Sequence, residues 1–242
     1  MKKIVAVTTF SLTLILACLS VAAQQQTPSR DDVVKQIETK RAEIAALEPQ
    51  LLSISDADKQ EFAELVGPQT GLVRLLPREK YTKLLTLSGG GGYYSFARST
   101  HEYGYGSDIA LESGMLSVGF AGADYGMLFN LGDLPLEQAT AEHRAVRALL
   151  DYTPPTKEVD VRKMQQQVWQ GIELSGMNFK NRLSARVGNT YLVRSISFER
   201  SDLLVAFRLL REDTDGSFIL AFKVLKKFPT PDLERTRTAA NN

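Results

Sequence analysis

Three β-rich runs close the chain: Tyr191 to Phe198, Leu203 to Glu212 and Phe218 to Phe228. Only Glu199-Arg200-Ser201-Asp202 and Asp213-Thr214-Asp215-Gly216 separate them. Connections this short join antiparallel neighbours, because a parallel crossover needs about a dozen residues or more. The second connection carries Gly where a hairpin turn requires positive φ. A further run, Leu183 to Val187, precedes the turn Val187-Gly188-Asn189-Thr190 and adds a fourth strand. Any fold of this chain must accommodate a C-terminal antiparallel β-meander.

The rest of the chain mixes two textures. Ser29 with Asp31 and Asp32 reads as a capped helix start, and Val34, Ile37, Arg41, Ile44 and Leu47 recur at helical spacing up to Pro49. Ser55, Asp56 and Asp58 start a second helix, with Phe62, Leu65 and Val66 on its apolar edge and Gly67-Pro68 as its stop. The pair predicts a helical hairpin over 31–67 whose apolar face packs on its own domain. From Leu84 to Asp133, glycines and aromatics crowd together, and three or four antiparallel strands are expected. Asp133-Leu134-Pro135 opens a central helix through Leu150, with His143 as a packing residue, and Glu158 to Gln170 predicts another. The fold class is α+β: an N-terminal helical hairpin, antiparallel strands, one or two central helices and the C-terminal meander. A single domain over 31–228 follows a linker at 24–30 and precedes a polar tail at 229–242, expected to be disordered.

The N-terminus carries an address. Met1-Lys2-Lys3, the apolar stretch Ile4 to Ala17 and the small residues Val21-Ala22-Ala23 have the layout of a secretory signal peptide over 1–23. Cys18 is the only cysteine. Ile15-Leu16-Ala17-Cys18 resembles the lipobox of bacterial lipoproteins, which implies an alternative in which Cys18 is acylated and anchors the chain. With cleavage after Ala23 the mature chain holds no thiol, no disulfide and no thiolate metal site. An exported domain of this kind is held by its core alone, and 43% hydrophobic residues suffice to build one. The formal net charge is +1, and losing Lys2 and Lys3 takes it slightly negative. That balance excludes a protein built around the nucleic-acid backbone. Contact with a membrane is expected only through the leader or a lipid on Cys18.

Motifs that carry chemistry are few. Gly89 to Gly92 invites a phosphate-loop reading, but Tyr93-Tyr94-Ser95-Phe96 follows and no Gly-Lys-Ser or Gly-Lys-Thr is present. His101 and His143 are the only histidines, so a His-rich zinc site is excluded, and no cofactor motif is found. His101 with Glu102 or Asp108 is the candidate catalytic set, since a His beside a carboxylate can serve as a base. Leu111-Glu112-Ser113-Gly114 fails the serine-hydrolase elbow at its first position. Asp108, Glu112, Asp124 and Asp133 are carboxylates from which a glycosidase pair could be drawn, and solvent-facing turns also explain them. The aromatics Tyr93, Tyr94, Phe96, Tyr103 and Tyr105 are the candidate ligand-binding cluster, because rings on a sheet can stack on sugars, peptides or apolar ligands. Helices between the strands, with Arg194, Arg208 and Lys223 within the later ones, argue against a membrane barrel.

These observations predict an exported, extracytoplasmic cell-envelope protein, periplasmic or secreted. It is expected to act as a non-catalytic binding or interaction module for a ligand or an envelope protein. An extracytoplasmic hydrolase is the competing expectation, and self-association through Val34, Ile37 and Ile44 is a third.

Overall fold

The computed structural model describes residues 28–67, 70–101, 103–104 and 106–235. The leader with Cys18, residues 24–27, Pro68, Gln69, Glu102, Tyr105 and residues 236–242 lie outside the described residues. The chain divides into two compact units, residues 1–38 and 39–242. In the first, Ser29 opens helix α1 (Arg30–Leu52). The Ser29 hydroxyl accepts from the Asp32 amide at 3.1 Å, and the Asp32 carboxylate accepts from the Ser29 amide at 3.2 Å. This reciprocal arrangement satisfies donors that a helix start leaves without intrahelical partners.

In the second unit α1 runs past Pro49, where the sequence predicts its end. Proline removes one backbone donor, but the surrounding turn is held from outside. The buried Glu48 carboxylate accepts from the Thr86 hydroxyl at 2.8 Å and the Leu87 amide at 3.1 Å. Ile44 and Leu47, expected to face inward, are exposed. Helix α2 (Asp56–Glu61) is capped by Ser55 as expected, and a 3₁₀ turn at Ala63–Leu65 follows, so the second arm of the hairpin is short.

In chain order come β1 (Thr70–Leu75), helix α3 (Arg78–Tyr81), β2 (Tyr93–Tyr94), β3 (Ile109–Glu112), β4 (Met115–Ser117) and β5 (Tyr125–Gly132). Helices α4 (Arg144–Asp151) and α5 (Glu158–Gln170) precede the hairpin β6 (Ile172–Leu174) and β7 (Met177–Phe179). The chain then forms β8 (Arg182–Ser184), β9 (Thr190–Ser197), β10 (Ser201–Glu212) and β11 (Phe218–Phe228). The expected central helix is divided into a 3₁₀ turn at Leu136–Gln138 and α4. His143 does not serve as an interior packing residue. Its Nδ1 caps α4 by accepting from the Ala145 amide at 3.2 Å.

The main antiparallel sheet has the order β1-β11-β10-β9-β5, and a smaller one has the order β2-β3-β4-β8. The glycine-aromatic strands therefore do not share one sheet: β5 joins the main sheet, while β2, β3 and β4 lie in the smaller. Alternation along the main strands builds two cores. Val193, Val205, Phe207 and Leu220 meet Tyr94, Ile109, Leu111 and Leu116 of the small sheet. Leu192, Leu204, Ala206 and Ala221 meet Val146 and Leu149 of α4 and Val161 and Val168 of α5. Strand β9 is buried along its whole length because both faces are covered. Each fully buried Leu or Phe contributes about 1.5–3 kcal/mol relative to leaving it exposed.

Two Ser-Gly turns share one geometry, and the first explains the failed serine-hydrolase match. Ser113-Gly114 joins β3 to β4 with φ of 50° and 68°, and Ser175-Gly176 joins β6 to β7 with 52° and 73°. Both are positive-φ hairpin turns, so Ser113 sits on a tight turn between strands and not on a strand-to-helix elbow. The segment after Pro229 is tied down as far as Glu234, where a disordered tail is predicted. The Glu199 amide donates to the Pro231 carbonyl at 2.8 Å, and the Glu158 amide donates to the Glu234 carbonyl at 3.0 Å.

Candidate functional site

The aromatic cluster read from sequence is largely interior. Tyr93, Tyr94 and Phe96 are 5%, 6% and 5% exposed, and Tyr94 and Phe96 belong to the core between the sheets. Their rings pack edge-on at 5.3 Å, and Phe96 meets Phe222 at 4.9 Å. Tyr103 is exposed at the side and leans on Tyr93 with ring centroids 4.5 Å apart. Tyr105 lies outside the described residues. These contacts are the sheet packing that aromatic side chains supply, and they leave no open platform of rings on Tyr94 or Phe96.

His101 is committed elsewhere. Its Nε2 is 2.7 Å from the Arg74 carbonyl oxygen, an acceptor, so that nitrogen carries the proton. The ring stands edge-on to Tyr94 at 5.0 Å. Burial pushes the imidazole below its usual value, and the Arg74 carbonyl offsets part of that. The structure does not hydrogen-bond His101 to Asp108, and Glu102 lies outside the described residues. The Gly89 to Gly92 run is a packing device. Gly89, Gly90 and Gly91 have φ of 82°, 59° and 71°. The amides of Gly90 and Gly92 donate within the turn, to Leu87 and Gly89 carbonyls, and so do not converge on an anion. Glu112 and Asp133 form ion pairs with Arg78 at 2.8 Å and Arg208 at 2.6 Å.

Asp108 and Asp124 are different. Both are buried, where the sequence alone places them at solvent-facing turns. One Asp108 oxygen, Oδ2, accepts from the Phe96 amide at 2.6 Å, the Ala97 amide at 3.3 Å and the Ser95 hydroxyl at 3.3 Å. The other, Oδ1, is buried with no partner in hydrogen-bond geometry among the described residues. Burial pushes the Asp108 carboxyl above its ordinary range, against nearby Ser195, Ala97, Phe96 and Ser95 donors that favour the charged form. Asp124 accepts from the Phe198 amide at 3.2 Å. Burial raises it too, and Asp108 adds like-charge repulsion, while Phe198, Ser197 and Arg200 pull it down. Ser95, Ser107, Ser195 and Ser197 are also buried, so a polar cluster occupies this end of the two-sheet interface.

Asp124 opens into a cleft of about 410 Å³ that it shares with Glu158, Arg162, Glu199, Arg200 and Arg235. The β9–β10 turn, the loop before β5, the start of α5 and the C-terminal segment bring these side chains together. Arg162 donates to the Gly122 carbonyl at 2.6 Å and pairs with Glu158 at 3.2 Å. One Arg235 nitrogen, Nη2, bonds both Glu199 oxygens at 3.1 and 3.0 Å. A cleft with fixed charges and one lining carboxyl of raised pKa, Asp124, is a candidate functional site with a physical rationale. Its chemistry is proton exchange at Asp124 and recognition of polar or charged groups by the guanidinium rim. Among the described residues no group of three or more His, Cys, Asp or Glu is disposed to hold a metal ion. The sequence named Asp108 and Asp124 but gave no signal for Arg162, Arg200 or Arg235, which meet only through the fold.

Asp108→Asn is expected to be at least as stable as the wild type at pH 7. The Asn oxygen still accepts from Phe96 and Ala97, and the cost of a charge in this site is gone. The sign follows from the raised folded-state pKa. The wild type gains stability relative to the variant as pH falls through that value, until the unfolded chain is protonated as well. Urea unfolding at pH 7 and pH 4 reads the gap, which should shrink at the lower pH. A variant clearly weaker than wild type at pH 7 would show that the carboxylate is needed for the fold. No protein family, curated protein or solved structure matches this chain.

Proposed function

We propose that this chain is an exported cell-envelope protein and a non-catalytic binding module whose ligand enters the charged cleft. The observation that carries the reading is that the rim charges are held before any ligand arrives, by the Arg162–Glu158 and Arg235–Glu199 pairs. Preorganised groups spend less free energy on ordering when they bind. Export is supported by the leader pattern from Met1 to Ala23. A second reading, an extracytoplasmic hydrolase, is favoured by Asp124, a carboxyl of raised pKa that lines the cleft, with the raised and fully buried Asp108 near enough to repel it.

Native mass spectrometry of the protein recovered from an exporting bacterial host tests the proposal. The expected result is a chain that begins at Gln24 and carries a reproducible bound species, which Arg162→Ala removes. A chain that keeps Met1 overturns export. A species that survives Arg162→Ala, or none at all, overturns the cleft as the binding site. Ester, glycoside or peptide turnover lost in Asp124→Asn would replace the binding module with the hydrolase.

A further inference from the structure

A second hollow, of about 220 Å³, lies on the other side of Arg200, between Ala97, the start of β10 and the end of β11. Its charge is lopsided. Arg200 and Lys227 line it, with Ser201 beside them. Arg98 does not itself line the hollow, but it follows the lining residue Ala97 in the chain and its guanidinium stands near Arg200. Nε and Nη2 of Arg98 come within 3.9 Å of the position a Gly106 Cβ would take, and Arg200 Cδ within 3.7 Å of the same point. Two arginines thus lean on one glycine, whose φ is +90°. The carboxylate in the wall, Asp202, is already neutralised, because Arg194 holds its two oxygens at 3.0 and 2.7 Å. Phe228 lines the hollow too, and the Arg194 guanidinium lies 3.8 Å from its ring centroid. Among the described residues neither Arg98 nor Lys227 forms an ion pair. Arg200 has contacts of its own, and its charge also reaches Asp124.

We infer that this hollow is a binding site for a phosphate-type oxyanion, held by Arg98, Arg200 and Lys227. Like charges gathered around one concave site repel, and an anion between them turns that repulsion into attraction. The planar guanidinium fork matches two oxygens of a tetrahedral oxyanion, while an ammonium supplies a mobile point charge. The site shares only Arg200 with the charged cleft, so it stands or falls separately from the binding module proposed above.

The test is calorimetric titration of the full mature chain with inorganic phosphate, alongside co-sedimentation with phosphatidylglycerol vesicles and with phosphatidylcholine vesicles. Wild type should bind phosphate, and affinity should drop at least tenfold in Arg98→Ala and in Lys227→Ala. Both residues are exposed, so thermal melts should be near wild type. Arg162→Ala, which lies in the other cleft, should leave phosphate binding unchanged. Binding to phosphatidylglycerol vesicles alone, lost in Arg98→Ala, supports the same chemistry on a lipid headgroup. No binding to either probe, or binding that survives both substitutions, overturns the inference. Loss in Arg162→Ala but not in Arg98→Ala places the anion in the charged cleft and also overturns it.

Discussion

Arg194→Met should cost about 3–5 kcal/mol of stability, the range for breaking a buried ion pair from one side. Arg194 and Asp202 are 1% and 2% exposed. The guanidinium binds the carboxylate through Nε at 3.0 Å and Nη2 at 2.7 Å, and Nη1 donates to the Leu149 carbonyl at 2.6 Å and to the Tyr152 carbonyl. Those carbonyls close the C-terminal end of α4, where a cation also complements the helix dipole. Removing the arginine strands a charge and two acceptors away from water. Arg194→Met combined with Asp202→Leu should regain much of the loss, because the buried charge leaves with its partner. Recovery stays incomplete, since both carbonyls remain without the donor. Urea midpoints of the single and double variants measure this. If the single variant does not fold and the double does, the prediction stands. A single-variant loss below about 1 kcal/mol would mean the pair behaves like a surface bridge.

Gly90→Ala should be nearly as damaging, at about 3–4 kcal/mol, from left-handed backbone strain plus overpacking. A Cβ there would sit 2.6 Å from the Tyr81 carbonyl carbon and 2.7 Å from Thr82 Cα, both backbone atoms that cannot rotate away. Gly114→Ala is the control. Its φ of +68° is similar, but nothing lies within 4 Å of the added carbon, so only the backbone term of about 1 kcal/mol applies. Equal losses in thermal unfolding would show that conformation alone, and not crowding, explains the glycine run.

Local pattern carried much of the architecture. Helix α5 spans the residues its periodicity predicts, and the last three strands lie within two residues of the runs read from sequence. Short connections and strand runs rich in Leu, Phe, Val and Ile leave the three strands few alternatives. Strand β1 escaped because Gly71 interrupts it. Gly71 pairs with Phe222 across the sheet, and a Cβ there would come 2.7 Å from that ring. What reads as a breaker is room for a cross-strand aromatic. The same blindness governs the site. Tyr93, Tyr94, Ser95 and Phe96 are all buried, so a run this short does not show which face is inward. Asp108 and Asp124 are ordinary carboxylates until distant strands cover them. Arg194 reads as a charge within a strand, and only the pairing of β9 with β10 places Asp202 where it can meet that charge.

The position of β1 has a consequence for biosynthesis. It pairs with β11, the last strand among the described residues, across roughly 150 intervening residues. A nascent chain that stops short of Phe218 holds neither the partner of β1 nor the outer partner of β10. Three of the five main strands, β9, β10 and β11, emerge late and in succession. The five-stranded sheet therefore cannot be complete before β11 has been made. Such late completion is compatible with the export proposed above.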